Sequence, residues 1–268
     1  MKRVFKFFDV TLRDGLQSSK KIYTLNEKKQ ILHSIMNNYE PSHIEVGSIV
    51  SSKVLPQMKH SQELYNYAIE KYPESNFYML IPNMKYLKEG IKNGVKNFSF
   101  ITSVSDEFQK KNTKMDLYKT KSELNHMIRY VDKKCNKSIK KLYLSCINEC
   151  PIAGKIQNIR IVEELLYYKY NYNFDNICLS DTCGTLSYED MVKIIEMTIE
   201  YGMSPKQLSI HLHLGNQDKE KIEKMIKFLF NCNINMLDVS TLENSGGCSV
   251  TIDEGKMRRN LTYDDLNM

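Results

Sequence analysis

Residues 4–17 of the chain read VFKFFDVTLRDGLQ. The first seven, Val4–Val10, are rich in β-branched and aromatic residues, which predicts a short strand. At its end stand Thr11, Leu12, Arg13, Asp14 and Gly15. A charged pair followed by glycine is a poor core sequence. It suits a salt bridge at a tight surface turn, or a functional site at the end of a strand, and the residues alone leave both open.

Outward from this stretch the same kind of run recurs seven times, at His43–Val46, Phe77–Ile81, Asn97–Thr102, Lys141–Ser145, Asn176–Ser180, Leu208–His213 and Ile234–Val239. Helical patterns lie between the runs. One starts at the capping box Thr24-Leu25-Asn26-Glu27 and carries Ile31, Leu32, Ile35 and Met36 at helical spacing. Another follows Ser187-Tyr188-Glu189-Asp190 with Met191, Ile194, Ile195 and Ile199 on one face, and Ile222–Phe230 reads as a third. Strand and helix in alternation predict parallel βα units. Eight of them predict an α/β fold, a TIM (β/α)8 barrel of about 250 residues, although periodicity alone also admits a doubly wound sheet. No Gly/Ser/Pro-rich linker divides the chain, so residues 1–268 are read as a single catalytic domain. After Val239 only a loop and LTYDDLNM follow, too little for a full helix, so the final helix is expected to be short or missing. The apolar outer residues of INMLDVS (234–240) would then need cover, from a homodimer partner or from another segment of the same chain.

The 268 residues are 41% apolar, enough for a sizeable core. No apolar run approaches the ~18 residues that cross a membrane. The opening MKRVFKFFDVTLRDG has too short an apolar stretch for a secretory signal and runs straight into a strand. Seven scattered cysteines, an odd number, do not form a disulfide framework, so a reducing cytoplasm is expected. The net charge of +6 is spread over presumed helix faces such as DKEKIEKMIK, where it is ordinary solvated surface. No zinc-finger spacing or basic–aromatic pattern points to nucleic acid.

Barrel enzymes place their reacting groups at the C-terminal ends of the strands. The seventh run ends in His211-Leu212-His213. Residues two apart in a strand share a face, so both imidazoles point one way, as a pair of metal ligands or as paired core histidines. Oxygen ligands such as Asp14 and a late asparagine would favour Mg²⁺ or Mn²⁺ over zinc. The sixth run ends in Ser180-Asp181-Thr182-Cys183-Gly184, another acid beside a turn glycine. Glu45 sits between apolar neighbours and is expected to point into the barrel. Ser245-Gly246-Gly247-Cys248 reads as a mobile loop with one thiol, which is an ordinary loop cysteine or an acid–base group.

In this order the motifs resemble the 3-hydroxy-3-methylglutaryl-CoA lyase branch of the TIM-barrel metallolyases. The resemblance rests on TLRDGLQ (11–17), HIEVGSIVSSKVLPQM (43–58), LIPNMK (80–85), SDEFQKKN (105–112), SCINECPIAGK (145–155), LSDTCG (179–184), HLH (211–213), the GGC loop, and Asn260-Leu261 with Asp264-Asp265-Leu266. It implies that Asp14, His211, His213 and Asn260 ligate Mg²⁺ or Mn²⁺, and that Arg13 stabilises a developing enolate. It further implies acids at Glu45 and Asp181, a catalytic His211, a loop thiol at Cys248, and substrate contacts from Arg13, Ser48 and Asp181. The activity implied is retro-Claisen cleavage of 3-hydroxy-3-methylglutaryl-CoA, or a close hydroxyacyl-CoA, to acetyl-CoA and acetoacetate. A metal-dependent aldolase on a hydroxy-oxo acid, or an impaired barrel with a binding role, are the alternatives. Four departures fall near the site: Leu214 follows the second histidine where the family has Asp, the loop reads NSGGCSV, Met257-Arg258-Arg259 replaces small residues in a lengthened stretch before Asn260, and the C-terminal helix is missing.

Overall fold

All eight runs expected to be strands are strands in a computed structural model that describes residues 5–215, 219–243, 245–247, 251–252 and 257–266. They are β1 (Lys6–Asp9), β2 (His43–Ser48), β3 (Asn76–Leu80), β4 (Asn97–Ser103), β5 (Lys140–Ser145), β6 (Asn176–Asp181), β7 (Leu208–Leu214) and β8 (Met236–Val239). Neighbours in sequence are parallel neighbours in space. The last strand pairs with both β7 and β1, with Asp238 opposite His211 on one side and Phe8 on the other, so the sheet closes on itself. A closed ring excludes the doubly wound alternative. The resulting architecture is a TIM barrel.

The helices form where local signals and an apolar face agree. Helix α1 (Leu25–Tyr39) starts at the expected capping box: Thr24 Oγ1 accepts the Glu27 N–H, and the Glu27 carboxylate accepts the Thr24 N–H at 2.7 Å. Then follow α2 (Ser61–Lys71), α3 (Met84–Lys92), α4 (Asp106–Thr113), α5 (Leu117–Lys134), α6 (Asn158–Asn171), α7 (Tyr188–Glu200) and α8 (Lys219–Asn231). Ser187 caps α7, and Met191, Ile194 and Ile195 are buried on its inner side. None of the described helices is long and apolar enough to cross a membrane. The six described cysteines are all free.

The main core lies between the barrel and the helices, and takes the outward residues of the strands, such as Ile44 and Val46 of β2 and Ile210, Leu212 and Leu214 of β7. Small separate clusters, Phe8–Val10–Tyr78 and Leu80–Tyr143–Cys178, fill the space inside the ring. The alternation of a strand therefore decides which residues reach the interior, and with it the site.

No α-helix follows β8 among the described residues; a single 3-10 turn, Asp264–Leu266, does. The chain instead returns along β7: Arg259–Asn260 pairs antiparallel with it, Asn260 opposite His213. The Leu261 N–H then donates to the Leu212 carbonyl, and the Leu261 carbonyl accepts the Ser240 N–H. Tyr263 stacks on Tyr39 at 3.8 Å, meets Phe7 edge-on, and donates its hydroxyl to Asp9 at 3.0 Å. Leu237 and Val239 are fully buried as a result. Of the two covers expected for this flank, the chain supplies its own, and the argument for a second copy on that face lapses. Tyr263→Ala should therefore lower stability by about 3–5 kcal/mol, as for other buried aromatic truncations. Urea unfolding checks it, and a change within experimental error would mean that this residue does not close the flank.

Candidate metal centre

The first part of the site is built by the turn after β1. Thr11–Gly15 forms one wide helical turn, with the Gly15 N–H donating to the Val10 carbonyl at 3.1 Å. A side chain at Gly15 would crowd the Ser240 and Ser245 hydroxyls, at 3.1 and 3.2 Å, so the missing Cβ lets this turn pass close to the end of β8. The turn buries both Arg13 and Asp14, which excludes the surface salt bridge. The guanidinium is shared: Nη1 pairs with Asp14 Oδ1 at 2.5 Å, Nε with Glu45 Oε2. Glu45 points inward as expected and also accepts the Tyr143 hydroxyl at 3.1 Å. Burial opposes the charge on Arg13, but Glu45 and Asp14 outweigh it and lift its pKa well above the usual arginine value.

The second part comes from β7, whose inward residues are His211 and His213, both buried. Their Nε2 atoms stand 3.0 Å apart, and Asp14 Oδ2 lies 3.8 Å from the first and 3.6 Å from the second. His213 Nδ1 faces the Thr182 carbonyl at 3.2 Å, a contact that places a proton on Nδ1 and leaves a lone pair on Nε2. His211 Nδ1 faces Asp238 Oδ2 at a longer 3.4 Å. Burial lowers the pKa of His211; it also pulls down His213, where contact with Asp14 prevails and raises it. Burial pushes Asp14 upward, but Arg13 and the two imidazoles hold its carboxyl well below the usual carboxylate range.

These atoms fit a cation. The two Nε2 atoms stand close enough for one ring N–H to donate to the other's lone pair, or for both lone pairs to turn to one cation. Asp14 Oδ2 is buried with no hydrogen-bond partner, and so are both side-chain heteroatoms of Asn260, the residue opposite His213. Donors on adjacent corners of an octahedron with bonds of about 2.1 Å are about 3 Å apart, which the histidine pair matches at 3.0 Å while Asp14 Oδ2 stands farther out at 3.6 and 3.8 Å. Asp14, His211 and His213 thus form a group able to hold a metal ion, and among the described residues it is the one such group.

Behind the site lies a pair that the sequence reading did not single out. Asp238 of β8 pairs with Lys141 of β5 at 2.5 Å, with both side chains almost wholly removed from water. Burial works against its charge, but Lys141 and His211 keep the Asp238 pKa below its ordinary value. It connects His211 to a fixed cation deep inside the barrel. The available signal was a charge at an inward position in each of two apolar strands, KKLYLS and MLDV.

Asp181 is set behind the site. Its carboxylate oxygens accept the backbone N–H groups of Thr185 and Leu186, at 3.2 and 3.0 Å, and it does not line the cavity over the site. Burial raises its pKa to about 6. It braces the turn that carries Thr182, whose carbonyl faces His213 Nδ1. Ser48 does line the cavity, a space of about 470 Å³ bounded also by Arg13, Asp14, Gln17 and the two histidines, with apolar walls from Val50, Leu55, Leu80, Ile101 and Phe108. Cys248 lies outside the described residues.

A parallel barrel with a histidine pair and a carboxylate at its C-terminal mouth defines the class: a TIM-barrel protein with a candidate metal centre. The HMGL-like family model matches residues 4–217, and the chain belongs to that family. It is 28% identical over 208 residues to the mitochondrial hydroxymethylglutaryl-CoA lyase of Macaca fascicularis, a match that covers 78% of this chain and 62% of the relative. It is 27% identical over 211 residues to the 3-hydroxy-3-isohexenylglutaryl-CoA/hydroxy-methylglutaryl-CoA lyase of Pseudomonas aeruginosa, covering 78% and 67%. In three dimensions it matches the crystal structure of a Pseudomonas aeruginosa hydroxymethylglutaryl-CoA lyase with a TM-score of 0.84 at 22% identity, over 98% of this chain and 84% of that one. The sequence matches to the mammalian relatives span less than two thirds of those relatives' own length.

A metal at this centre has a measurable consequence. Asp14→Ala and His211→Ala are expected to bind Mn²⁺ far more weakly than the parent chain. Asp238→Asn, which keeps all the ligands but weakens the support of His211, should cost about 10- to 100-fold in affinity. Calorimetric Mn²⁺ titration separates the cases, and parent-like binding by both ligand variants removes the centre.

Proposed function

We propose that the chain is a carbon–carbon lyase that cleaves 3-hydroxy-3-methylglutaryl-CoA, or a close hydroxyacyl-CoA, to acetyl-CoA and acetoacetate. The observation that carries this reading is the meeting of Arg13-Asp14 with His211 and His213 at one mouth of the barrel, in a chain of the HMGL-like family. Asp14, His211, His213 and Asn260 would hold the ion, and their mixed oxygen and imidazole donors suit Mg²⁺ or Mn²⁺. Such an ion supplies Lewis acidity to the substrate oxygens and a template for their orientation.

The chain's own residues supply the rest. A base takes the carbinol hydroxyl proton as the bond between the carbinol carbon and the thioester's α-carbon breaks, so that the ketone forms and negative charge stays on the thioester oxygen until the α-carbon is protonated. Arg13 faces the cavity with a charge that Glu45 and Asp14 fix in place, so no solvent has to reorganise as that oxygen becomes an enolate. The apolar walls of the cavity exclude water from the carbanionic fragment, while the Ser48 hydroxyl lies at the cavity edge, donating to the Leu80 carbonyl. Glu45 acts through Arg13 and Tyr143. Cys248, which follows Gly246-Gly247 in the sequence, would be the thiol that gives a proton to the product enolate. A soluble acyl-CoA is the partner, in a reducing compartment such as the cytoplasm.

Purified protein with Mn²⁺ should release acetyl-CoA and acetoacetate from the thioester. Arg13→Met should retain metal affinity and lose turnover by roughly 10²–10³, the usual loss for one electrostatic transition-state contact. Turnover of a free hydroxy-oxo acid, with none of the thioester, would move the chain to the aldolases. Unchanged turnover in Arg13→Met would return the Arg–Asp pair to a structural role.

A further inference from the structure

Behind the wall of the cavity, two thiols meet in the loop after β5. Cys146 follows Ser145, the last residue of that strand and part of the cavity lining, and Cys150 comes four residues later. The loop bends sharply to bring them together: Cys146 has a φ of +64° and Asn148 one of +89°, in the left-handed region that side chains disfavour. It closes with a short antiparallel pair, Glu149–Cys150 against Gly154–Lys155. Both cysteines are buried and pack with Phe108, another residue of the cavity wall. The Cys146 N–H donates to Thr182 Oγ1 at 2.8 Å, which ties the pair to the turn whose carbonyl faces His213.

The two thiols are not alike. The Cys150 sulfur accepts from the N–H groups of Ala153 and Ile152, at 3.2 and 3.4 Å, as the turn 151–154 wraps over it. The Ser105 hydroxyl stands 3.0 Å from it, with its one proton divided between this sulfur and the Glu107 carboxylate. Several donors aimed at one sulfur suit a thiolate better than a thiol. Hydrogen bonding from the Cys146 thiol, joined by these donors, outweighs burial and brings the Cys150 pKa down to about 5. Burial, together with the pull of Cys150, drives the Cys146 pKa up, so the charge rests on Cys150 and the proton on Cys146. The turn that covers Cys150 is itself at the surface, with Ile152 and Ala153 exposed.

We propose that Cys146 and Cys150 form a redox-active pair, in which Cys150 is the thiolate that a hydroperoxide oxidises and Cys146 the thiol that closes the disulfide. In the first step the Cys150 sulfur attacks one peroxide oxygen. An S–O bond forms, the O–O bond breaks, and hydroxide leaves when the oxidant is hydrogen peroxide. The product is a sulfenic acid, with the sulfur oxidised and the peroxide reduced. In the second step the Cys146 sulfur displaces that oxygen. An S–S bond forms, the S–O bond breaks, and the oxygen departs as water with the Cys146 proton. The lyase activity takes no part in either step.

Residues 142–155 lie between cleavage points after Lys141 and Lys155, so trypsin releases both cysteines on one peptide. The reduced full chain, with Mg²⁺, which is redox-inert, is treated with hydrogen peroxide at pH 6. The remaining thiols are then alkylated after unfolding and mapped by mass spectrometry. Cys183 and Cys232 are half-buried and Cys150 is buried, so exposure alone puts Cys150 last. Cys150 should instead be lost about 10-fold faster than either, because a thiol of ordinary pKa is almost wholly protonated at that pH, even after allowing for the weaker nucleophilicity of a low-pKa thiolate. The peptide should appear lighter by two hydrogens. Cys146→Ser should stop at the sulfenic acid, trapped on Cys150 by dimedone, and Cys150→Ser should leave Cys146 reduced. Loss of Cys183 and Cys232 before Cys150, or a link from Cys150 to Cys183 in place of Cys146, overturns the proposal. The peptide map of the parent chain decides this even where a variant does not fold.

Discussion

A carboxylate taken out of water must be matched by positive charge, at a cost of several kcal/mol if it is not. Asp14 is buried and is matched on two sides, by Arg13 of its own turn and by the imidazoles of β7. The second match exists only because the barrel closes. β1 and β7 are not neighbours; β8 lies between them and pairs with both. The centre is thus a product of topology as much as of residue type. An open sheet with the same strands would leave Asp14 facing Arg13 alone and the histidine pair facing nothing.

The charges are arranged in depth. Nearest the bottom, Lys141 stands over the Phe8 ring at 3.5 Å and pairs with Asp238. Above it Asp238 faces His211, and above that the imidazoles face Asp14. Arg13, Glu45 and Tyr143 form a parallel stack on the other wall. In the first, the imidazoles lie between the carboxylates of Asp238 and Asp14; in the second, Glu45 joins the Arg13 guanidinium to the Tyr143 hydroxyl.

The barrel was legible because each strand announces itself locally: a few β-branched or aromatic residues, bounded by turn residues and followed by a helical period. The cap of α1 was legible to the residue, since Thr24 and Glu27 recognise each other across three positions whatever the rest of the chain does. The histidine pair was legible through strand alternation, which puts residues 211 and 213 on one face. Three things were not. Asp238 and Lys141 are single charges in apolar strands, and alternation alone does not say which of two faces is the inner one. Asp181 sits beside a turn glycine just as Asp14 does, yet its oxygens are used by the amides of Thr185 and Leu186, a distinction made by the path of the loop. The cover of β8 comes from residues 259–263, too short and irregular to carry any period, and becomes visible only when Tyr263 is seen against Tyr39 and Asp9.

That cover also bears on how the chain reaches its shape during synthesis. The hydroxyl of Tyr263 and the carboxylate of Asp9 are 254 residues apart in sequence. Until β8 and the segment after it have been made, β1 has a free hydrogen-bonding edge on one side and bare aromatic surface outside. Contacts of such long range form late, because the entropy of closing the loop comes before any gain from the contact. A nascent chain would therefore hold seven strands as an open, sticky crescent, and β1 would wait for residues 236–263. The metal centre, whose parts come from both ends of that crescent, cannot exist in any earlier stage.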